Sequence, residues 1–95
     1  MKKVVWKYRL KQDGRQYIAM PSGAKPLTVN IQDGAWTLWC EVDPTAEIAD
    51  ALIQIVGTGH IELFEKDNPC YVGTLFYGVL VFHVYWIGQK KEERA

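Results

Sequence analysis

Leu27-Thr28-Val29-Asn30-Ile31-Gln32, then Asp33-Gly34, then Ala35-Trp36-Thr37-Leu38-Trp39-Cys40-Glu41-Val42 follow one another without a break. Asp-Gly between two alternating runs is the strongest short-range hairpin signal. A type I′ two-residue turn needs positive φ at both positions, and Asp and Gly adopt it at little cost. Such a turn pairs Gln32 with Ala35 and sets the register on both sides. Leu27, Val29 and Ile31 then share one face of the first strand. In the second, Trp36, Leu38, Cys40 and Val42 share a face, and Thr37, Trp39 and Glu41 take the other. A period of two with one apolar face describes a half-buried strand.

The same pattern extends outward. Upstream, Val4 to Leu10 alternates Trp6, Tyr8 and Leu10 against Val5, Lys7 and Arg9. Gln12-Asp13-Gly14 supplies a turn, Arg15 to Met20 returns as a strand, and Pro21 to Pro26 reads as a loop. Downstream, Ala46, Ile48, Ala49 and Leu52 carry a weak helical period, with Glu47 and Asp50 near its start. That predicts a loop with at most one short helix near 45–51. Ile53 to Val56 reads as a strand closed by Gly57-Thr58-Gly59-His60. Ile61 to Phe64 reads as a short strand or edge, and Glu65 to Pro69 as a polar turn. Tyr71 to Phe76 and Val79 to Ile87 form a last hairpin turning at Tyr77-Gly78. Both faces of its second strand are mostly apolar, which predicts a strand that is central or covered on both sides. The expected fold is all-β: a small antiparallel β-sandwich or partly open barrel of about seven strands. One domain spans 1–88, and 89–95 is a charged C-terminal tail.

A chain of 95 residues has room for one domain. Its 11 Lys+Arg balance 11 Asp+Glu. A neutral chain lacks the basic footprint of a duplex nucleic-acid binder, and no helix-turn-helix, zinc finger or basic helix is visible. Neutrality also leaves little charge repulsion against self-association, so a homo-oligomer is expected. Cys40 and Cys70 stand alone, without the close pairs of a structural zinc site, and are expected as reduced thiols. Lys7 and Arg9 interrupt any signal-peptide apolar region. Tyr71 to Gly88 holds no Asp, Glu, Lys or Arg, but its Gly73, Gly78, Thr74 and His83 fit a hairpin better than a membrane helix.

Catalytic patterns are absent. The only serine, Ser22, sits in a Pro-Ser-Gly loop with no nucleophile-elbow pattern. His60 and His83 are isolated, with Glu41 and Glu62 the acids that a hydrolytic reading would enlist. No metal or cofactor site is expected. The loop Gly57-Thr58-Gly59-His60 offers two glycines that let backbone N–H groups approach an anion, with Thr58 and His60 as further donors; a strand end needing positive φ is the plainer reading. Trp39 faces away from Trp36, Leu38 and Cys40, which points to stacking on a planar ligand or to a subunit interface. Lys2, Lys3, Lys7 and Arg9 form a modest basic cluster, readable as a lysine-protected edge.

Four strings occur in order: Leu38-Trp39-Cys40-Glu41-Val42-Asp43-Pro44, Ile55-Val56-Gly57-Thr58-Gly59-His60, Tyr71-Val72-Gly73-Thr74 and Val81-Phe82-His83-Val84-Tyr85. With Lys7-Tyr8-Arg9-Leu10 at the opening, the chain resembles a family of small proteins found mostly in bacteriophages and prophages and known as a domain of unknown function. The likeness runs from about Trp6 to Ile87. In one departure, family members commonly have Pro after the His of the Gly-Thr-Gly-His loop, where Ile61 stands here. The resemblance implies a phage product acting in the cytoplasm of the infected bacterial host, and no established activity. By analogy of size and setting, the expected function is a counter-defence binding protein rather than an enzyme. It would sequester a nucleotide-derived immune signal, of cyclic nucleotide or cyclic ADP-ribose type, as a homo-oligomer. Gly57, Thr58, Gly59, His60, Trp39 and Arg9 are the expected binding residues. A β-rich interaction module for a host or phage protein, or a small nucleotide-signal hydrolase, are the alternatives.

Overall fold

A computed structural model describes residues 2–60 and 65–91. Within them the chain forms seven strands: β1 (Val4–Arg9), β2 (Arg15–Pro21), β3 (Lys25–Gln32), β4 (Ala35–Val42), β5 (Ile48–Gly57), β6 (Cys70–Tyr77) and β7 (Leu80–Lys91). One short 3-10 turn, Glu65–Asp67, precedes β6. All strand pairs are antiparallel, in a three-stranded sheet of order β1-β4-β3 and a four-stranded sheet of order β2-β5-β7-β6. The fold is an all-β sandwich, not closed into a barrel. The predicted strand over Ile61–Phe64 lies outside the described residues.

The hairpin that set the reading forms as expected. Gln32 pairs with Ala35, and Asp33 and Gly34 both have positive φ, 49° and 77°. Trp36, Leu38, Cys40 and Val42 line the core face of β4, which is central in its sheet. On the outer face Lys7, Trp39 and Thr28 stand in one row, with Arg9, Thr37 and Asn30 in the next. Leu27 departs from expectation. A bulge between Pro26 and Thr28 turns it outward, away from buried Val29.

The segment near 45–51 contains no helix. Its residues from Ile48 onward are strand, because Ala49, Ala51 and Ile53 alternate into the core between β2 and β7. The preceding turn closes through Asp43. Its Oδ1 accepts hydrogen bonds from the Thr45 amide at 3.0 Å and hydroxyl at 2.7 Å. Side-chain capping and period-two burial together outweigh a weak helical period.

The last hairpin turns at Gly78-Val79, one residue later than expected, with Tyr77 paired to Leu80. Gly78 has φ 62°, the feature a II′ turn requires at its first central position. β7 is central, between β5 and β6, and runs on through Lys91. Gln89, Lys90 and Lys91, at the start of the charged segment, thus pair with Ala51, Asp50 and Ala49. Gln89 is a clamp. Its Nε2 donates to Pro21 O at 3.0 Å, and its Oε1 accepts from Ala24 N at 2.9 Å. No helix among the described residues is long and apolar enough to cross a membrane.

Candidate functional site

A cleft of about 270 Å³ opens at one end of the sandwich. Three aromatic rings from separate strands wall it: Trp36 of β4, Tyr77 of β6 and Phe82 of β7. Trp36 meets Phe82 at 4.9 Å between ring centroids and Tyr77 edge-on at 5.6 Å. The rings already touch, so the cluster leaves no slot for a planar group between its members. The rim adds Gln12, Asp13, Gly14 and His60.

The rim is held by short backbone contacts. Leu10 N donates to Trp36 O at 2.8 Å, and Ile55 N to Gly14 O at 2.6 Å. Buried Gln16 clips the connection between β1 and β2. Its Oε1 accepts from Lys11 N at 2.8 Å, and its Nε2 donates to Lys11 O at 2.9 Å. Gln12 and Asp13 therefore sit on a pinned loop.

Trp36 is 3% exposed, and its indole Nε1 is buried without a hydrogen-bond partner among the described residues. A buried donor left unsatisfied costs about 1–3 kcal/mol. A second groove lies beside the cleft, lined by Arg9, Leu10, Lys11, Gln12, Gly34 and Trp36 among others. Gln12 and Trp36 belong to both.

The residues expected to bind a ligand separate into two places. The Gly57–His60 segment ends β5 as a tight turn. Gly59 has φ 87°, His60 N donates to Gly57 O at 3.0 Å, and Thr58 N donates to Val81 O at 3.2 Å. Two of the amides a phosphate cradle would need are thus engaged within the protein. What the turn brings to the cleft is the His60 ring, whose atoms would lie 3.5 Å from a Cβ on Gly57. Trp39 and Arg9 stand on the outer face of the three-stranded sheet, and Trp39 lines neither the cleft nor the neighbouring groove. Arg9 lines that groove.

Thr58 joins a different constellation. Its Oγ1 lies 2.8 Å from His83 Nε2, and Thr74 Oγ1 lies 3.1 Å from His83 Nδ1. The Tyr71 hydroxyl hydrogen-bonds Thr74 in turn. Which atom donates at each link follows the imidazole tautomer, and a flip reverses the chain of hydroxyls. A serine-type triad holds its imidazole with a carboxylate. Here a threonine hydroxyl stands in that place. Glu41 belongs to the other sheet, where it meets Lys3 at 3.7 Å, and Glu62 lies outside the described residues.

Cys40 and Cys70 are free thiols, one buried and one exposed. Burial pushes the Cys40 thiol up to about 12. The Tyr8 hydroxyl is raised as well, first by its own burial and then by Cys40. No group of three or more His, Cys, Asp or Glu suited to a metal occurs among the described residues.

Gln12, Gln16, Trp36, Tyr77 and Phe82 were missed as site residues in the sequence. The three aromatics read as strand core or hairpin, and only the sheet order brings them together. Gln16 carried one signal, a polar side chain just after an Asp-Gly turn.

The chain matches the family model described as a domain of unknown function (DUF7352) over residues 1–95, and it belongs to that family. No curated protein and no solved structure matches it.

Proposed function

We propose that this domain is a binding module for a small nucleotide-type ligand. The ligand's planar ring lies on the Trp36–Tyr77–Phe82 cluster, and its anionic part runs along the neighbouring groove toward Arg9 and Lys11. The observation that carries this reading is the junction itself: an aromatic cleft and a basic groove abut through Gln12 and Trp36. Stacking a base on an aromatic surface is worth about 1–3 kcal/mol. The amide of Gln12 and the ring of His60 can read a base edge, and guanidinium pairs well with phosphate. The cleft is at the small end for ligand sites, which favours one ring system over two. In the bacteriophage setting that the family resemblance implies, the role is to sequester a nucleotide-derived immune signal, in the cytoplasm of the infected cell and as a homo-oligomer.

Titration with adenosine monophosphate, followed by amide and indole NMR shifts, tests the reading. Saturable shifts at Gln12, His60 and the Trp36 indole are expected, and Tyr77→Ala should weaken binding about tenfold or more, from the stacking energy. Absence of saturable shifts at millimolar nucleotide, or unchanged affinity in Tyr77→Ala, would overturn it.

The tip of the β6–β7 hairpin favours a second reading, a protein-contact module. Phe76 is 71% and Val79 97% exposed, with Tyr77 and Leu80 beside them. Exposed apolar side chains grouped at one tip mark contact sites more often than isolated ones do.

A further inference from the structure

We propose that the free edge of β1 is a docking site for an extended segment of a partner protein in which acidic and apolar residues alternate. The inference shares Arg9 with the groove beside the cleft but needs no ligand in either.

Among the described residues β1 is an edge strand, paired with β4 alone. The pairing alternates strictly. Leu10 N donates to Trp36 O, and Leu10 and Trp36 continue the register that sets Val4 against Val42. In an antiparallel ladder every second residue turns its N–H and C=O to the partner strand. Val4, Trp6 and Tyr8 therefore bond β4. Val5, Lys7 and Arg9 aim their N–H and C=O groups at the free edge, where no described strand meets them.

The side chains on the two faces of this edge differ. On the core-facing side Val4 and Trp6 pair with Val42 and Cys40, which are fully buried, yet they remain 38% and 43% exposed themselves. Cover is missing over the first half of β1 only, since Tyr8 further along packs against the core. On the outer side stand Lys3, Val5, Lys7 and Arg9. Lys3 reaches Glu41, and Lys7 donates to Gln32 at 3.1 Å. The Arg9 guanidinium has no hydrogen bond or ion pair among the described residues. The whole chain is neutral, but five of its eleven cationic side chains fall at positions 2–11, ahead of the first acid, Asp13.

A strand added here satisfies the free backbone groups by ordinary β-augmentation. Directly opposed residues share a face. The incoming strand must therefore place apolar side chains beside Val4 and Trp6, and acidic ones beside Lys7 and Arg9. A second copy of β1 fits poorly. Every antiparallel register that keeps core faces together and overlaps three or more β1 residues sets cation against cation: Lys3 against Lys7, Lys3 against Arg9, Lys7 against Lys7, or Lys7 against Arg9. A nucleic-acid strand offers phosphates but no backbone ladder.

A capped peptide alternating Glu and Val is the probe, added to the intact protein and followed by amide NMR. A capped Lys/Val peptide and an oligothymidylate are the controls. The expected result is saturable shifts and slowed exchange at Val5, Lys7 and Arg9 with the Glu/Val peptide alone. Val5→Pro removes one outward N–H and leaves the β4 ladder intact, so it should weaken binding about tenfold or more. The double variant Lys7→Glu with Arg9→Glu leaves the backbone untouched and should reverse the preference toward the Lys/Val peptide. Equal binding of both peptides, preferred binding of oligothymidylate, shifts confined to other edges, absence of any shift, or an unreversed preference in the double variant would overturn the proposal.

Discussion

Where β3 passes β6, a Cβ built on Gly73 would lie 2.7 Å from Val29 Cγ2. Where β1 passes the other sheet, Val4 and Trp6 are left uncovered. On the first side a glycine beside a bulge in β6 lets two edge strands approach until their side chains interlock. On the second side no strand of the four-stranded sheet packs as closely on β1. Both sides are built from short apolar strands. Packing covers the apolar side chains of one, and the other leaves Val4 and Trp6 exposed beside an edge that carries cations. Closure depends on the fit of particular atoms, so it is fragile to added volume. Openness leaves groups without partners, so it tolerates substitution.

The largest effect is expected at Gly73. Gly73→Ala should destabilise by about 1–3 kcal/mol, and Gly73→Val by more, because the intruding methyl meets a buried β-branched side chain. Chemical denaturation measures this. Val29→Ala in the Gly73→Ala background should recover part of the loss, and strict additivity of the two would show that the strands do not interlock.

Gln89 comes next. Gln89→Leu strands the backbone groups of Pro21 and Ala24 that it now satisfies. A cost of about 1–3 kcal/mol is expected, seen as a melting temperature lower by roughly 4–8 °C per kcal/mol.

Cys40 sharpens the comparison on the open side, since it is the cross-strand partner of Trp6 and is fully buried. With its thiol pushed up to about 12, it should resist iodoacetamide at neutral pH while exposed Cys70 reacts. Alkylation of both thiols in the folded protein would show that the opening reaches the core.

A smaller effect is expected at Asp43. The Thr45 hydroxyl, then the Thr45 amide, hold its carboxyl below the usual carboxylate range, with Lys3 adding a little. A depressed pKa contributes stability above the unfolded value, about 3.9, and that contribution is lost as pH falls through the folded value. Asp43→Asn should therefore flatten the acid limb of the stability–pH curve and leave the neutral limb's shape unchanged. The smallest effect is expected for Val5→Pro, within about 0.5 kcal/mol of wild type, because the N–H it removes has no partner.

Much of this architecture was legible in local sequence. Asp33-Gly34 fixed a register, and the period of β4 assigned Trp36 inward and Trp39 outward. The two apolar faces of β7 pointed to a strand central or covered on both sides, and the sheet order makes it central. Bulges were not legible, because the extra residue that turns Leu27 outward leaves no mark on composition. The first half of β5 was hidden because Glu47 and Asp50 mimic a helix start. The site was legible only in fragments. Gly57–His60 was found as a turn and Arg9 as a cation, but neighbours in space come from sheet order. Trp36, Tyr77 and Phe82 meet because β4 stacks over β6 and β7, which no spacing along the chain records. Gln89 was read as tail because clamps are defined by the backbone groups they reach.

The central claim is that β1 presents a free strand edge, and amide hydrogen exchange of the isolated protein tests it most directly. Trp6, Tyr8 and Leu10 should exchange slowly, held by β4. Val5, Lys7 and Arg9 should exchange fast, giving a strict alternation along one strand. Slow exchange at all six would contradict the account, because it would mean that the edge is already paired.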